Sequence, residues 1–323
     1  MNSEIFSDLI IKKISISLRG VQMSDQGTKS NYWISDKISS GEEYQFLVAK
    51  VLYEQKNELQ NIAVMELNNN NKVLIFNGKI QSSKFDEFIV NESLVHIPFI
   101  HHGLPKKILI IGIGDLGAVR EALKWNVAEQ IVVVEEDKSL LDINIKFFNS
   151  FNRDFTKNKR VNFKFSSCHD FFKINEDLFD VVIINNIFSK GLKIFPFLKR
   201  SWKILDKNGY LVFKDDVSIL SNPEYYTNLL NLFNYKFSSI KIYQAWMLSL
   251  CKTYNYIMLS KDSIIKNKEN SEVEKILNLN LDNCLNFISA KSYAYLMNPG
   301  KYVQDIQNKF NNINFVKTNK LDL

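Results

Sequence analysis

The stretch Lys107-Ile108-Leu109-Ile110-Ile111-Gly112-Ile113-Gly114-Asp115-Leu116-Gly117 decides how the chain is read. Lys107 to Ile111 reads as a short apolar strand, and Gly112 to Gly117 as a Gly-rich turn. Ala118 to Trp125 then has a helical pattern, and Gln130 to Val134 is a second apolar strand ending at Glu135-Glu136-Asp137. Strand, glycine turn, helix and strand make a βαβ unit, which implies a parallel sheet covered on both faces.

Glycines in such a turn let the backbone swing sharply and come close to a ligand, and the helix N-terminus beyond offers unpaired N–H groups. An acidic residue is expected about 20 residues further on, at the end of the next strand, where it would accept ribose hydroxyls. Glu135 stands there. A lone glycine turn also occurs as a plain tight turn in α/β proteins, and it is Glu135 that tips the balance toward a nucleoside. Asp115, inside the turn, would repel a pyrophosphate and welcome an amino group or a sulfonium. Electrostatics therefore favours an S-adenosylmethionine-type ligand over a dinucleotide.

Outward from this unit the alternation continues. Helices are expected at Ser139–Asn149, His169–Phe172, Ile194–Ile204 and Pro223–Phe233, and strands at Val161–Phe165, Phe179–Ile184, Tyr210–Lys214, Ser239–Gln244 and Tyr254–Ser260, with a turn at Asn208-Gly209. Upstream, Phe46–Tyr53, Asn61–Leu67, Val73–Phe76 and Lys79–Gln81 read as strands, the last two joined by an Asn77-Gly78 hairpin turn, and a helix follows from Asp86. The division is a β-strand domain over 1–103, serving oligomerisation and as a pocket lid, a Rossmann-like domain over 104–262, and a helical extension over 263–323.

Composition narrows the class. The hydrophobic share of 46% and aromatic share of 13% suit a globular core. No apolar run approaches the roughly 18–20 residues of a spanning helix, and the start, Met1 to Lys13, carries Glu4 and Asp8 and reads as no signal peptide. The net charge of +6 is mild, and the densest basic patch, Lys157, Lys159 and Arg160, reads as a solvated loop and not a nucleic-acid surface. Three scattered cysteines, Cys168, Cys251 and Cys284, argue for a reducing, cytoplasmic setting. The four histidines show no metal-ligand spacing. His101 and His102 would point to opposite sides of a strand.

Several further segments, taken in order, resemble the polyamine aminopropyltransferases, of which spermidine synthase is the main member. Val51-Leu52-Tyr53-Glu54 with Gln60-Asn61-Ile62, Phe76-Asn77-Gly78 with Gln81 and Asp86-Glu87-Phe88-Ile89, Lys106 to Gly117 with Arg120 and Glu121, and Val134-Glu135-Glu136-Asp137 carry the likeness, which runs from about Trp33 to Lys261. It implies a Rossmann-like transferase fold with decarboxylated S-adenosylmethionine as co-substrate and methylthioadenosine as product. It further implies a small-molecule amine as acceptor and assembly through the N-terminal strands as a homodimer or with a paralogue, while the histidine spacing argues against a metal. Carried over residue by residue, Gln60, Gly112, Gly114 and Glu135 hold the nucleoside, Ser167 takes the place of an adenine-contacting Asp, and Asp115 holds the aminopropyl amine.

The likeness fails at the acceptor side. Where the family has Asp-Ser-Thr-Asp-Pro, this chain has Asn185-Asn186-Ile187-Phe188-Ser189, so the base becomes Asn185 and the second acid Phe188. A Tyr is replaced by Val90, a strand-end Gln by Lys214, two turn glycines by Ile113 and Leu116, and the family's gate loop is not recognisable in Met247 to Thr253. Asp216 still matches a family Glu. Three readings follow. One is an active, divergent aminopropyltransferase in which Asp115, Asp170 or Asp216 supplies the missing charge. Another is an impaired homologue acting as a binding or regulatory subunit, with an apolar pocket lined by Phe188 and Val90. The third is a transferase for another acceptor.

Overall fold

The computed structural model describes residues 32–37, 41–148, 158–185, 194–233, 237–281 and 285–308. Asn186 to Ser189, including Phe188, together with Lys157 and Cys284, lie outside these residues.

Five N-terminal strands form an antiparallel ladder in chain order: β1 (Trp33–Lys37), β2 (Glu43–Lys56), β3 (Asn61–Leu67), β4 (Lys72–Phe76) and β5 (Lys79–Ser83). Asn77 and Gly78 join β4 to β5 with φ of 51° and 81°, the positive values that a two-residue hairpin turn matched to strand twist demands.

Helix α1 (Glu87–His102) follows, and every residue from Ile89 to His101 is buried. A helix covered on all sides lies inside the molecule, so its apolar residues need no single stripe. It runs through His101 and His102, which therefore sit one helical step apart in its last turn and not across a strand as the sequence suggested. His101 bonds the Tyr293 hydroxyl at 3.0 Å, and burial, followed by Lys268 and Lys241, lowers its pKa to about 3.

The second sheet has seven strands in the order β11-β12-β10-β9-β6-β7-β8. Its elements are β6 (Lys107–Ile111), α2 (Gly117–Leu123), β7 (Gln130–Glu135), α3 (Ser139–Phe147), β8 (Val161–Phe165), α4 (Cys168–Ile174), β9 (Phe179–Ile184), α5 (Ile194–Ile204), β10 (Leu205–Asp215), α6 (Pro223–Phe233), β11 (Ser239–Met247) and β12 (Lys252–Ser260). The pairs β8–β7, β7–β6, β6–β9 and β9–β10 are parallel, and β12 runs antiparallel to both neighbours. Asn208-Gly209 is not a separate turn: β10 passes through it, with a register irregularity between Leu205 and Tyr210.

Alternate residues of the parallel strands feed two cores. Ile108, Ile110, Val181, Ile183 and Val212 face α1, and Leu109, Ile111, Val182, Ile184 and Phe213 face the layer holding Phe197 and Tyr226. Arg160, expected in a solvated basic loop, donates to the carbonyls of Leu123, Trp125 and Ala128 and so closes the end of α2. Beyond the sheet, α7 (Asn270–Asn280) and α8 (Ala290–Met297) pack near α1, where the Glu92 carboxylate accepts the N–H groups of Asn286, Phe287 and Ile288. Among the described residues no helix is long and apolar enough to cross a membrane.

Candidate active site

The chain order β6-β7-β8 runs outward on one side of β6, and β9 then returns to its other side. The crevice beyond the carboxyl ends of β6 and β9 is therefore the switch point at which open α/β sheets bind ligands. The glycine turn leaves β6 there, and Asn185 leaves β9 beside it.

The turn is shaped by close approach. Gly114 has φ 55°, and a Cβ on it would lie 2.4 Å from Asn185 Nδ2. A Cβ on Gly117 would lie 1.9 Å from Asn91 Nδ2. Gly112 also has a positive φ, 87°, and its N–H bonds the Val134 carbonyl. Leu116, which replaces a family glycine, adopts φ 66° and buries its side chain completely.

Asp115 is buried, and its carboxylate accepts from the Gly117 N–H at 2.9 Å, from Asn91 Nδ2 at 3.2 Å and from the Ser82 hydroxyl. All three donors are neutral, and among the described residues no cation lies within ion-pair distance of it.

Glu135, at the end of β7, accepts the Ile113 N–H on one carboxylate oxygen and the Asp137 N–H on the other, both at 2.9 Å. Burial raises its pKa, with these N–H groups partly offsetting. Gln60 is buried and reaches across from the N-terminal sheet, its amide 3.4 Å from Asp137, beside Asn57 Nδ2 at 2.7 Å from the same oxygen. Burial alone would raise the Asp137 carboxyl, but hydrogen bonds from Ser139, Asn57 and Gln60 hold it below the usual range. Gln60, Gly112, Gly114, Asp115 and Glu135 are thus gathered around one turn. Ser167 caps α4 and bonds Asp170, so its hydroxyl is already engaged.

The other end of the crevice differs. Register pairs Phe213 with Ile184 and Ile111 with Ile184, so Gly112, Asn185 and Lys214 stand side by side at the strand ends. Residue parity puts Asn185 and Lys214 on the α1 face. Asn185 is buried, its Nδ2 3.4 Å from the Ile113 carbonyl and its Oδ1 without a partner among the described residues. Lys214 lies with its ammonium 5.6 Å from the Tyr254 ring centroid. Two positions on, Asp216 bonds Lys79 at 2.6 Å and lies 3.6 Å from Lys252, whose buried ammonium also pairs with Asp36 and donates to the Ile80 carbonyl at 3.2 Å. Burial works against the Asp216 carboxylate, but Lys79 and Lys252 hold its pKa down.

The β11–β12 hairpin tip is short, a single 3₁₀ turn over Leu248–Leu250. Ser249 fixes it to the rim of the N-terminal sheet, bonding Asp86 through both its N–H and its hydroxyl and Ser83 through the hydroxyl.

One expectation of the sequence fails here. Asp170 is exposed on α4, which packs against β7 on the sheet face opposite α1, and it is paired with Lys173. It supplies no charge to the amine end. Of the apolar pocket expected from Phe188 and Val90, Phe188 lies outside the described residues, and Lys214, Asp216, Lys79 and Lys252 stand at that end. Sequence reasoning missed Ser82, Asn91, Asp137, Lys79, Asp36 and Lys252. Lys79 follows the hairpin glycine directly, but nothing distinguished Lys252 among 41 basic residues.

Comparison with known proteins places this geometry. The Spermidine synthase tetramerisation domain matches residues 32–84 and the Spermine/spermidine synthase domain residues 87–270. The polyamine aminopropyltransferase of Buchnera aphidicola subsp. Schizaphis graminum is 29% identical over 62% of this chain and 71% of its own length. For the spermine synthase of Saccharomyces cerevisiae the values are 30%, 61% and 69%. The solved spermidine synthase of Thermotoga maritima superposes with a TM-score of 0.75 at 19% identity, covering 89% of this chain and 98% of that one. A spermidine synthase in complex with the transition state analogue AdoDATO gives the same score over 90% of this chain and 99% of that one. With the catalytic-domain match spanning more than half of its length, and the turn, strand end and crevice in place, the chain belongs to the spermine/spermidine synthase family.

Proposed function

We propose that this protein transfers the aminopropyl group of decarboxylated S-adenosylmethionine to an amine acceptor, a diamine such as putrescine, and releases methylthioadenosine. The observation that carries the reading is Asp115: a buried carboxylate at the switch point, held by neutral donors only, and so free to compensate a cationic ligand. Its charge suits the aminopropyl ammonium. Glu135 takes the ribose hydroxyls while its remaining lone pairs keep the Ile113 and Asp137 N–H groups. Gln60 closes over the nucleoside from the N-terminal sheet, and Gly112 and Gly114 allow close approach. Ser167, at the end of β8, borders the adenine.

The reaction is an in-line displacement at the carbon beside the sulfonium, so the protein's work is to align donor carbon and acceptor nitrogen. Asp216, among its lysines, takes the distal part of the acceptor, and Asn185 lines the reacting region. The N-terminal sheet, with Trp33, Tyr44 and Val51 exposed, serves assembly into a homodimer or a larger oligomer. The scattered cysteines suit a cytoplasmic setting.

One observation favours a second reading, a nucleoside-binding subunit without turnover: Asn185 is no base, and Asp36 and Asp216 are already paired with lysine. Calorimetry with methylthioadenosine, followed by decarboxylated S-adenosylmethionine and putrescine with detection of product, separates the two. Nucleoside binding with turnover supports the transferase, and binding without turnover supports the subunit. Absence of nucleoside binding overturns both.

A further inference from the structure

An aminopropyl transfer has to dispose of a proton, and among the described residues the acceptor end of this crevice offers no unengaged carboxylate to take it. Asn185 cannot, and the segment that follows it, Asn186 to Lys193, contains two lysines and no acid. Asp216 is engaged by Lys79 at 2.6 Å and by Lys252, and Asp36 by Lys252. Glu87 is clasped by Arg120 through two bonds of 2.6 and 2.9 Å. Asp115 remains, and it is the group assigned to the donor's own ammonium.

Lys214 stands apart from this pairing. It occupies the position level with Asn185 on the neighbouring strand, on the same face, and adjacent strands lie about 4.8 Å apart. Among the described residues it forms no ion pair, and its ammonium lies over the face of Tyr254. Around it stand Asp115 from the turn after β6, Asp216 from the end of its own strand, Lys252 and Tyr254 from β12, and Glu87 from α1. Burial pushes its ammonium below the ordinary lysine range. Asp115 and Asp216 pull it back, Lys252 pushes further down, and Glu87 pulls back more weakly. A bound donor would add a sulfonium and an ammonium to this neighbourhood, and both favour the neutral amine.

We propose that Lys214 is the base that takes the proton from the attacking amine, in place of the carboxylate absent at Asn185. The inference rests on the aminopropyl-transfer reading. The acceptor nitrogen forms a bond to the propyl carbon, the carbon–sulfur bond breaks with its electron pair going to sulfur, and methylthioadenosine leaves neutral. The acceptor's N–H proton passes to Lys214 Nζ and then to solvent before the next turnover. Local charge is conserved, because one positive charge disappears from sulfur as one appears on Lys214. Asn185 Oδ1, buried and without a partner among the described residues, is placed to accept a hydrogen bond from the same amine and orient it.

The test compares wild type with Lys214→Gln, Lys214→Arg and Lys214→Gln/Asn185→Asp, by kcat against pH with putrescine. Methylthioadenosine affinity serves as the control for folding and donor binding. The wild-type kcat is expected to rise with pH along an acidic limb below the ordinary lysine range. Both single variants should keep methylthioadenosine affinity and lose about 100-fold or more in kcat together with that limb, the scale of general-base catalysis. Asn185→Asp in the Lys214→Gln background should recover about tenfold or more, with a limb moved toward the carboxylate range. Wild-type transfer that survives Lys214→Gln within about threefold, or increases, overturns the role of Lys214 alone. Absence of transfer in wild type and every variant overturns the aminopropyl reading and this inference with it.

Discussion

At one end of the crevice Glu135, Asp137 and Asp115 are held by backbone N–H groups, amides and hydroxyls, whereas at the other Asp36 and Asp216 are held by Lys252 and Lys79. Neutral donors fix a carboxylate and leave its charge available to a ligand. Lysines fix it and cancel the charge. On the proposed function the first end is prepared for a cationic nucleoside, and the carboxylates of the second are already paired with lysines. A diamine entering there has to rearrange existing pairs or share them.

The comparison breaks most sharply at Lys252. Lys252→Met leaves Asp36 buried without a counter-charge, and losing one partner of a buried pair typically costs about 3–5 kcal/mol. Urea unfolding should register that loss, and a near-neutral result would mean the lysines do not hold the acceptor end together.

The glycine-turn end is probed by Glu135→Gln, which should weaken methylthioadenosine binding about 10–100-fold, because hydrogen bonds to a charged acceptor contribute roughly 1.5–3 kcal/mol. The pH sign is definite. Burial raises the Glu135 pKa above 4.5, so the carboxylate is ionised only above that raised value. Wild-type affinity should therefore climb as pH rises through a window above 4.5, and the Gln variant should stay flat, as read by calorimetry across pH 4.5–7.

Asp216→Asn gives a smaller stability effect, about 1–2 kcal/mol at neutral pH, since Lys79 is half-exposed and that pair is partly screened. The folded carboxyl is depressed by Lys79 and Lys252, so its stabilisation is complete above the ordinary aspartate value and is lost as pH falls through the folded value. Thermal melts of wild type and variant should converge under acid.

Ser249→Ala is the mildest. It removes the hydroxyl bonds to Asp86 and Ser83 and keeps the Ser249 N–H bond, costing about 1 kcal/mol. Hydrogen exchange should rise in the β11–β12 tip before it rises anywhere in the central strands.

Much of this was legible in residue order. The β6–turn–α2–β7 unit needed only an apolar run, glycines and Glu135 at its distance, because local backbone geometry imposes that pattern. The Asn77-Gly78 hairpin was equally local. The helix after Asp86 was legible but its length was not: α1 continues past Pro98 through His101 and His102, which were misread as strand. Asp170 looked available from its chain position, but α4 packs on the sheet face opposite Asn185 and Lys214, and Lys173 pairs with its carboxylate.

Sequence alone therefore determined the family, the parallel sheet, the glycine turn and the acid at the next strand end, since each depends on residues close together in the chain. Tertiary structure alone decided that Lys79, Asp36 and Lys252, spread over more than two hundred residues, share one ion-pair cluster with Asp216. It also decided that Lys214 stands beside Asn185. Those neighbours arise from strand order and register, which long-range packing selects and no short stretch of sequence records.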